Sequence, residues 1–283
     1  MLRQTIKKLL RLPANALIAS ASNVQKYVPY PGSAGLYVLQ TYNQERVKSC
    51  LPVPPPGVRA AYGDTEEDWL NGGKKNVGDL LTLLTSTNFS IQKRSRILDF
   101  GCAAGRMIRW LADLADECEI WGVEIEARLI VWCQENLSPP FNFATVTTAP
   151  HLPFEDRYFD LIYCGSVFTH IDDLADAWLL ELRRITRPGG RIYITIQDKH
   201  SVDLIMSGFP SLRQILLEND THGYLKQEKY YKLSILPGSQ NCQVFYDIDY
   251  LCQHWGRILR IISVIQEGYW FQTALLMEKE IAN

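Results

Sequence analysis

From residue 96 onward, short apolar runs alternate with stretches of helical periodicity, and this alternation restricts the chain more than any other feature of it. The runs are RILDF (96–100), EIWGVE (119–124), FNFATVTT (141–148), FDLIYCG (159–165) and RIYITI (191–196). Between them a helix is expected from Gly105 to about Ala115, and another through Ile130, Val131 and Asn136. In a third, Leu174, Trp178, Leu182 and Ile185 share one face, with Asp172 or Asp173 as its cap. RPGG (187–190) is expected to stop that helix and turn into the fifth strand. Strands apolar at nearly every position need cover on both faces, and parallel strands need crossover helices. The reading is a parallel sheet covered on both sides.

After Gln197 the pattern changes to a helical stretch (202–218) and a polar, tyrosine-rich region reaching about Asn241. DIDYLCQHW (247–255) reads as a helix, and RIISVIQEG and FQTALLMEK as two strands of an antiparallel hairpin at the sheet edge. The fold class is therefore α/β: a doubly wound, mostly parallel seven-stranded sheet with a C-terminal antiparallel hairpin and an N-terminal helical arm. Three segments follow. Residues 1–59 are a basic arm ending in the proline-rich LPVPPPGVR (51–59). Residues 60–95 are a helical cap, with a turn at Asn71, Gly72 and Gly73 before Val77, Leu80, Leu81 and Leu84. Residues 96–283 form the main domain, with 197–245 inserted over the substrate side.

Charge is nearly balanced, with 29 Lys and Arg against 31 Asp and Glu, so no overall field favours nucleic acid and none is expected as a partner. Seven cysteines without CxxC spacing argue against a disulfide framework and a zinc site, and for a cytoplasmic protein. No apolar run approaches the roughly 18 residues of a membrane span. The first acidic residue is Glu45, and Arg3, Lys7, Lys8, Arg11 and Lys26 all precede it. Residues 2–12 have the pattern of an amphipathic helix, read as docked on its own domain, as a transit peptide, or as a contact with a membrane surface or partner.

Ligands of doubly wound sheets sit beyond the carboxyl ends of the strands, which makes Asp99 to Arg106 the candidate loop. A dinucleotide turn, GxGxxG, needs a glycine where this chain has Ala103, and no Lys-Ser or Lys-Thr follows Gly105 to make a P-loop. The loop keeps a carboxylate, Asp99, two glycines around small residues, and a helix amino terminus with free N–H groups. Asp99 suits an ammonium, the amides suit a carboxylate, and Glu124 in GVEIE lies where an acidic residue takes ribose hydroxyls. The ligand so described has an amino acid end, a ribose and no phosphate, and S-adenosylmethionine fits it.

DFGCAAGR, GVEIE, LPFEDRYFDLIYCGSVFTHI and WLLELRRITRPGGRIYITI, in this order and spacing, resemble the class I S-adenosylmethionine-dependent methyltransferases, over roughly residues 60–279. The resemblance implies a Rossmann-like fold and S-adenosylmethionine as cofactor. It places Asp99, Gly101, Cys102 and Gly105 at the methionine end, with Arg106 beside them, Glu124 on the ribose and Ile125 on the adenine. Gly165 and Ser166 would border the methyl group. Thr148 stands where many members have an Asp for the adenine amino group, so a hydroxyl or backbone contact is expected there instead. Arg106 and Arg109 otherwise read as residues that satisfy surface carboxylates or cover the sheet edge.

The donor is already activated, so the protein must align a nucleophile and exclude water. His170, just past the fourth strand, is the candidate general base, and His200, with Asp198 as partner, the second. No metal site is expected, because capping accounts for Asp172 and Asp173. Small size is the simpler reason for Cys102, although a helix amino terminus lowers a thiol pKa. Tyr62, Trp69, Tyr224, Tyr230 and Tyr231 lie in the segments expected to cover the acceptor. The SVFTH and WLxEL patterns resemble enzymes acting on small molecules or glycans, which implies O-methylation of such an acceptor. Two alternatives stand beside this: a methyltransferase-like binding subunit without activity, and a nicotinamide oxidoreductase disfavoured by Ala103.

Overall fold

The computed structural model describes residues 51–59, 62–63, 65–220, 223, 225, 231–237 and 242–281; the amphipathic segment 2–12, Tyr224 and Tyr230 lie outside them. Strands β1 (Arg96–Phe100), β2 (Glu119–Glu124), β3 (Asn142–Thr145), β4 (Phe159–Cys164) and β5 (Thr186–Ile196) pair in parallel. Strands β8 (Arg260–Tyr269) and β9 (Gln272–Glu278) complete a seven-stranded sheet of order β3-β2-β1-β4-β5-β9-β8. Only β9 runs against the rest, since it is antiparallel to both β5 and β8. The chain order reverses between β1 and β4, which opens a crevice at their carboxyl ends. The sheet and its closing hairpin match the sequence expectation. A second, two-stranded sheet pairs β6 (Lys232–Ile235), inside the 197–245 segment, with β7 (Gln243–Tyr246) at its end.

Helix α1 (Glu66–Ser86) runs straight through Gly72 and Gly73, where a turn was expected. Thr65 and Asp68 form a capping box that starts the helix, and Trp69, Val77, Leu80 and Leu84 are buried along it. Burial of each such side chain contributes about 1.5–3 kcal/mol, enough to carry two glycines. The glycine at 73 also has a packing reason: a Cβ there would collide with the Arg106 carbonyl. Helix α2 (Ala127–Leu137) follows β2, and α3 (Ala175–Ile185) follows β4. Trp178, Leu182 and Ile185 of α3 are buried as expected, but Leu174 is exposed and serves as N-cap without a side-chain bond, so neither Asp172 nor Asp173 caps the helix.

Three further boundaries differ. The helix expected after Gly105 is a single 3-10 turn, Ile108–Leu111, within a run of turns. RPGG belongs to β5 as an irregular stretch: the register shifts between Phe159 and Leu161 of β4, and Gly189 and Gly190 bond to Lys279. The 202–218 stretch is two helices, α4 (Lys199–Gly208) and α5 (Pro210–Asn219), broken where Pro210 lacks an N–H. Helix α6 (Ile248–Trp255) falls where expected. Among the described residues, no helix is long and apolar enough to cross a membrane.

Candidate functional site

The loops leaving β1, β2 and β4 enclose a cavity of about 590 Å³. Its floor is the turn after β1, where Gly101, Ala103 and Gly105 take φ of +84°, +46° and +78°. Glycine adopts this region freely, whereas for Ala103 it costs about 1–2 kcal/mol. The left-handed backbone is offset by a bond it makes possible: the Ala103 N–H donates to Glu124 Oε2 at 3.1 Å. Glu124 Oε1 accepts from the Ile125 and Glu126 amides at 2.7 and 3.2 Å. Burial raises the Glu124 pKa, and these three N–H groups oppose it. A carboxylate offers about four lone-pair directions, so one remains for a ligand hydroxyl.

Asp99 is 3% exposed, and its Oδ2 has no hydrogen-bond partner. Burial raises its pKa from 3.8 to about 7. The Tyr163 hydroxyl, the Arg106 guanidinium and the Ile108 amide act the other way, and Glu124 adds to the rise. Arg106 is buried rather than a surface residue. Its Nη2 donates to Asn76 Oδ1 at 3.0 Å and to the Tyr269 hydroxyl, and the guanidinium lies 4.4 Å from the Tyr62 ring centre. Arg109 is also buried, donating to the Leu51 and Pro52 carbonyls. Neither arginine covers a sheet edge or meets a surface carboxylate as expected.

His170, in the loop after β4, also lines the cavity, and its Nδ1 lies 2.7 Å from the Cys242 carbonyl. A carbonyl only accepts, so Nδ1 carries the proton and Nε2 is the basic nitrogen of the neutral ring. His200 lies elsewhere: its Nε2 faces Glu267 at 3.1 Å, and Asp198, its expected partner, caps α4 and accepts from Thr273.

Asp99, Gly101, Cys102, Arg106, Glu124, Ile125, Thr148, Gly165, Ser166 and His170 all line the cavity. Gly105 does not; it lies beneath the loop, where a Cβ would collide with Leu137. The free amides expected in this loop are largely spent internally, since Gly101 and Cys102 donate to Val123, Ala103 to Glu124 and Gly105 to Cys102. Burial pushes the Cys102 thiol up, so it is no activated nucleophile. Trp69 packs beside Ala104 and Leu129 at the loop end of the cavity, and Tyr231 lies outside it, 4.7 Å from Tyr250. Tyr269 was missed from the sequence. Its ring lies against Gly165, where a Cβ would come within 2.7 Å, and the only signal was the aromatic GYWF at the last turn. Among the described residues no three His, Cys, Asp or Glu side chains converge as a metal site.

Residues 98–194 match the family described as "Methyltransferase domain". A malonyl-[acyl-carrier protein] O-methyltransferase of Salmonella typhimurium is 29% identical over 136 residues, 48% of this chain and 47% of that protein. A ubiquinone/menaquinone biosynthesis C-methyltransferase of Chromobacterium violaceum is 27% identical over 138 residues, 48% of this chain and 55% of that protein. An uncharacterized methyltransferase of Schizosaccharomyces pombe is 31% identical over 114 residues, 36% of this chain and 40% of that protein. The chain thus spans about half the length of the curated relatives it matches. Among solved structures, a S-adenosylmethionine-dependent methyltransferase from Clostridium acetobutylicum superposes with TM-score 0.52 at 13% identity, covering 74% of this chain and 92% of that one. The PH0226 protein from Pyrococcus horikoshii gives 0.53 at 18%, covering 73% and 91%. These two likenesses concern the fold; the family match, 98–194, takes in the loops after β1, β2 and β4 that line most of the cavity. Over residues 98–194, about a third of its length, the chain is thus similar to methyltransferase domains, and its sheet has the fold of a S-adenosylmethionine-dependent methyltransferase.

Proposed function

We propose that the protein transfers a methyl group from S-adenosylmethionine to a hydroxyl of a small molecule or glycan. The observation that carries this reading is the convergence of Asp99, Glu124 and His170 on one cavity. The residues fit the cofactor. Asp99 offers a buried carboxylate oxygen with no partner, which suits an ammonium, and Arg106 supplies the cation for the neighbouring carboxylate in place of the spent loop amides. Glu124, held by three amides, has a lone-pair direction for a ribose hydroxyl, while Gly101, Cys102 and Gly105 shape the loop. Ile125 and Thr148 lie at the adenine end in this arrangement, and Gly165 and Ser166 border the methyl end.

When bound, the cofactor supplies an electrophilic methyl group on a sulfonium. The protein's part is to exclude water, orient the acceptor and move one proton. His170 Nε2 takes the proton of the acceptor hydroxyl, and the Nδ1–H to Cys242 holds the ring in the tautomer that permits this. The O-methyltransferase among the relatives supports oxygen as acceptor atom, although C-methyltransferases are found there too.

Incubation with methyl-labelled S-adenosylmethionine and a fractionated host extract tests the reading. Label in small polar molecules or glycans is expected. Label confined to protein or RNA, or no transfer in any fraction, overturns it.

A further inference from the structure

The turn after β4 is held by a closed set of hydrogen bonds whose proton directions are forced. Ser166 has φ +60°, a conformation disfavoured for serine. Its N–H donates to Thr195 Oγ1 at 2.7 Å. Thr195 sends its own proton to Gln272 Oε1, an atom that only accepts, at 2.7 Å. This orientation leaves Gln272 Nε2 to donate to Ser166 Oγ at 2.8 Å. Thr169 gives its proton to the Ser166 carbonyl at 2.9 Å, so in the 3.1 Å contact between the two hydroxyls Ser166 is the donor.

The proton of Ser166 is thus committed to Thr169, and one lone pair to Gln272. One lone pair remains, and Ser166 lines the cavity. With its N–H also spent, Ser166 presents the cavity with a hydrogen-bond acceptor and no donor. Thr169 and Thr195 are fully buried and Gln272 is 4% exposed, so the ring stays ordered without solvent. A valine at 195 and an apolar residue at 272 would serve the strands equally well; the polar pair has its use in fixing Ser166.

We propose that Ser166 Oγ is a specificity-determining contact for the methyl acceptor, and that Thr195 and Gln272 are positioning residues that keep the serine proton turned away. The acceptor class so selected carries an O–H or N–H hydrogen at or beside the reacting atom: alcohols, phenols and amines, against ethers and bare carbon acceptors. This rests on the cavity being the methyl-transfer site.

The test reads donor preference without turnover. Phenol and aniline, which carry donors, are titrated against size-matched fluorobenzene, which has none, into protein saturated with S-adenosylhomocysteine, by saturation-transfer NMR. Phenol and aniline should bind about tenfold more tightly than fluorobenzene. In a His170→Ala background, where the imidazole no longer offers a second acceptor, Ser166→Ala, Gln272→Met and Thr195→Val should each abolish the preference, and Thr195→Ser, which keeps the hydroxyl, should retain it. The Thr195 and Gln272 variants should bind S-adenosylhomocysteine as the wild type does. Equal binding of the three compounds, no binding by any of them, or a preference that survives Ser166→Ala in the His170→Ala background overturns the inference. Failure of S-adenosylhomocysteine to bind overturns the proposed function instead, and the same titration of the unliganded protein still decides whether Ser166 selects a donor.

Discussion

The proposed assignment of the ligand ammonium to Asp99 predicts that binding releases a proton at mildly acidic pH. Folding raises its pKa from 3.8 to about 7, a cost of about 4 kcal/mol to the charged form. With a pKa of about 7, more of the free protein holds this proton at pH 6 than at pH 8. An ammonium seated on Oδ2 favours the carboxylate and expels the proton. S-adenosylhomocysteine binding should therefore release a large fraction of one proton at pH 6 and little at pH 8. Isothermal titration in buffers of different ionisation enthalpy measures this directly, and Asp99→Asn should remove the Asp99 share. Stability follows with the sign reversed from that of a salt-bridged aspartate. Between pH 4 and 7 the folded state binds more protons than the unfolded state, so stability falls as pH rises, and the full penalty applies above 7. Asp99→Asn should accordingly be more stable than wild type at pH 8 in the absence of ligand. Release that is the same at both pH values, or unchanged in Asp99→Asn, would refute the assignment of the ammonium site.

His170→Ala should lower kcat by roughly 10²–10⁴ while leaving S-adenosylhomocysteine affinity unchanged, and a normal rate removes His170 from the proton transfer. Glu124→Gln turns one oxygen into a donor among three N–H groups, and calorimetry should show affinity weakened by roughly 10–100-fold. Two glycines of α1 should behave oppositely in thermal unfolding. Gly73→Ala meets the Arg106 carbonyl and should cost about 1–3 kcal/mol, whereas Gly78→Ala, with nothing within 4 Å, should gain up to about 1 kcal/mol. Equal melting temperatures for the two would show that Gly73 owes nothing to close packing.

The strands were legible because six of the seven in the main sheet are buried on both faces, and such runs carry their signal in nearly every residue. Glu124 and Asp99 were legible for a related reason: each stands at the end of such a run, where a charged group is out of pattern. What escaped depends on contacts distant in sequence. Gly72 and Gly73 resemble a turn until Arg106 is placed against them, and Arg106 resembles a surface residue until Tyr269 and Tyr62 close over it. The tautomer of His170 is set by a carbonyl 72 positions away, and Ser166 by a glutamine 106 positions away. RPGG was misread because its glycines serve an irregular strand, and local sequence does not distinguish that from a helix stop.

Strand β9 sets an order of events during synthesis. Residues 96–196 emerge as five strands that can already pair, yet β5 keeps an open edge from Arg191 to Ile196 until β9 arrives roughly eighty residues later. That strand inserts between β5 and β8, buries Leu275, Leu276 and Met277, and brings Gln272 to Ser166, with Tyr269 beside Gly165. A nascent chain therefore owns the side of its cavity lined by Asp99 and Glu124 well before the side lined by Tyr269. Until the hairpin closes, an unpaired apolar edge is exposed to any other chain that can supply a strand.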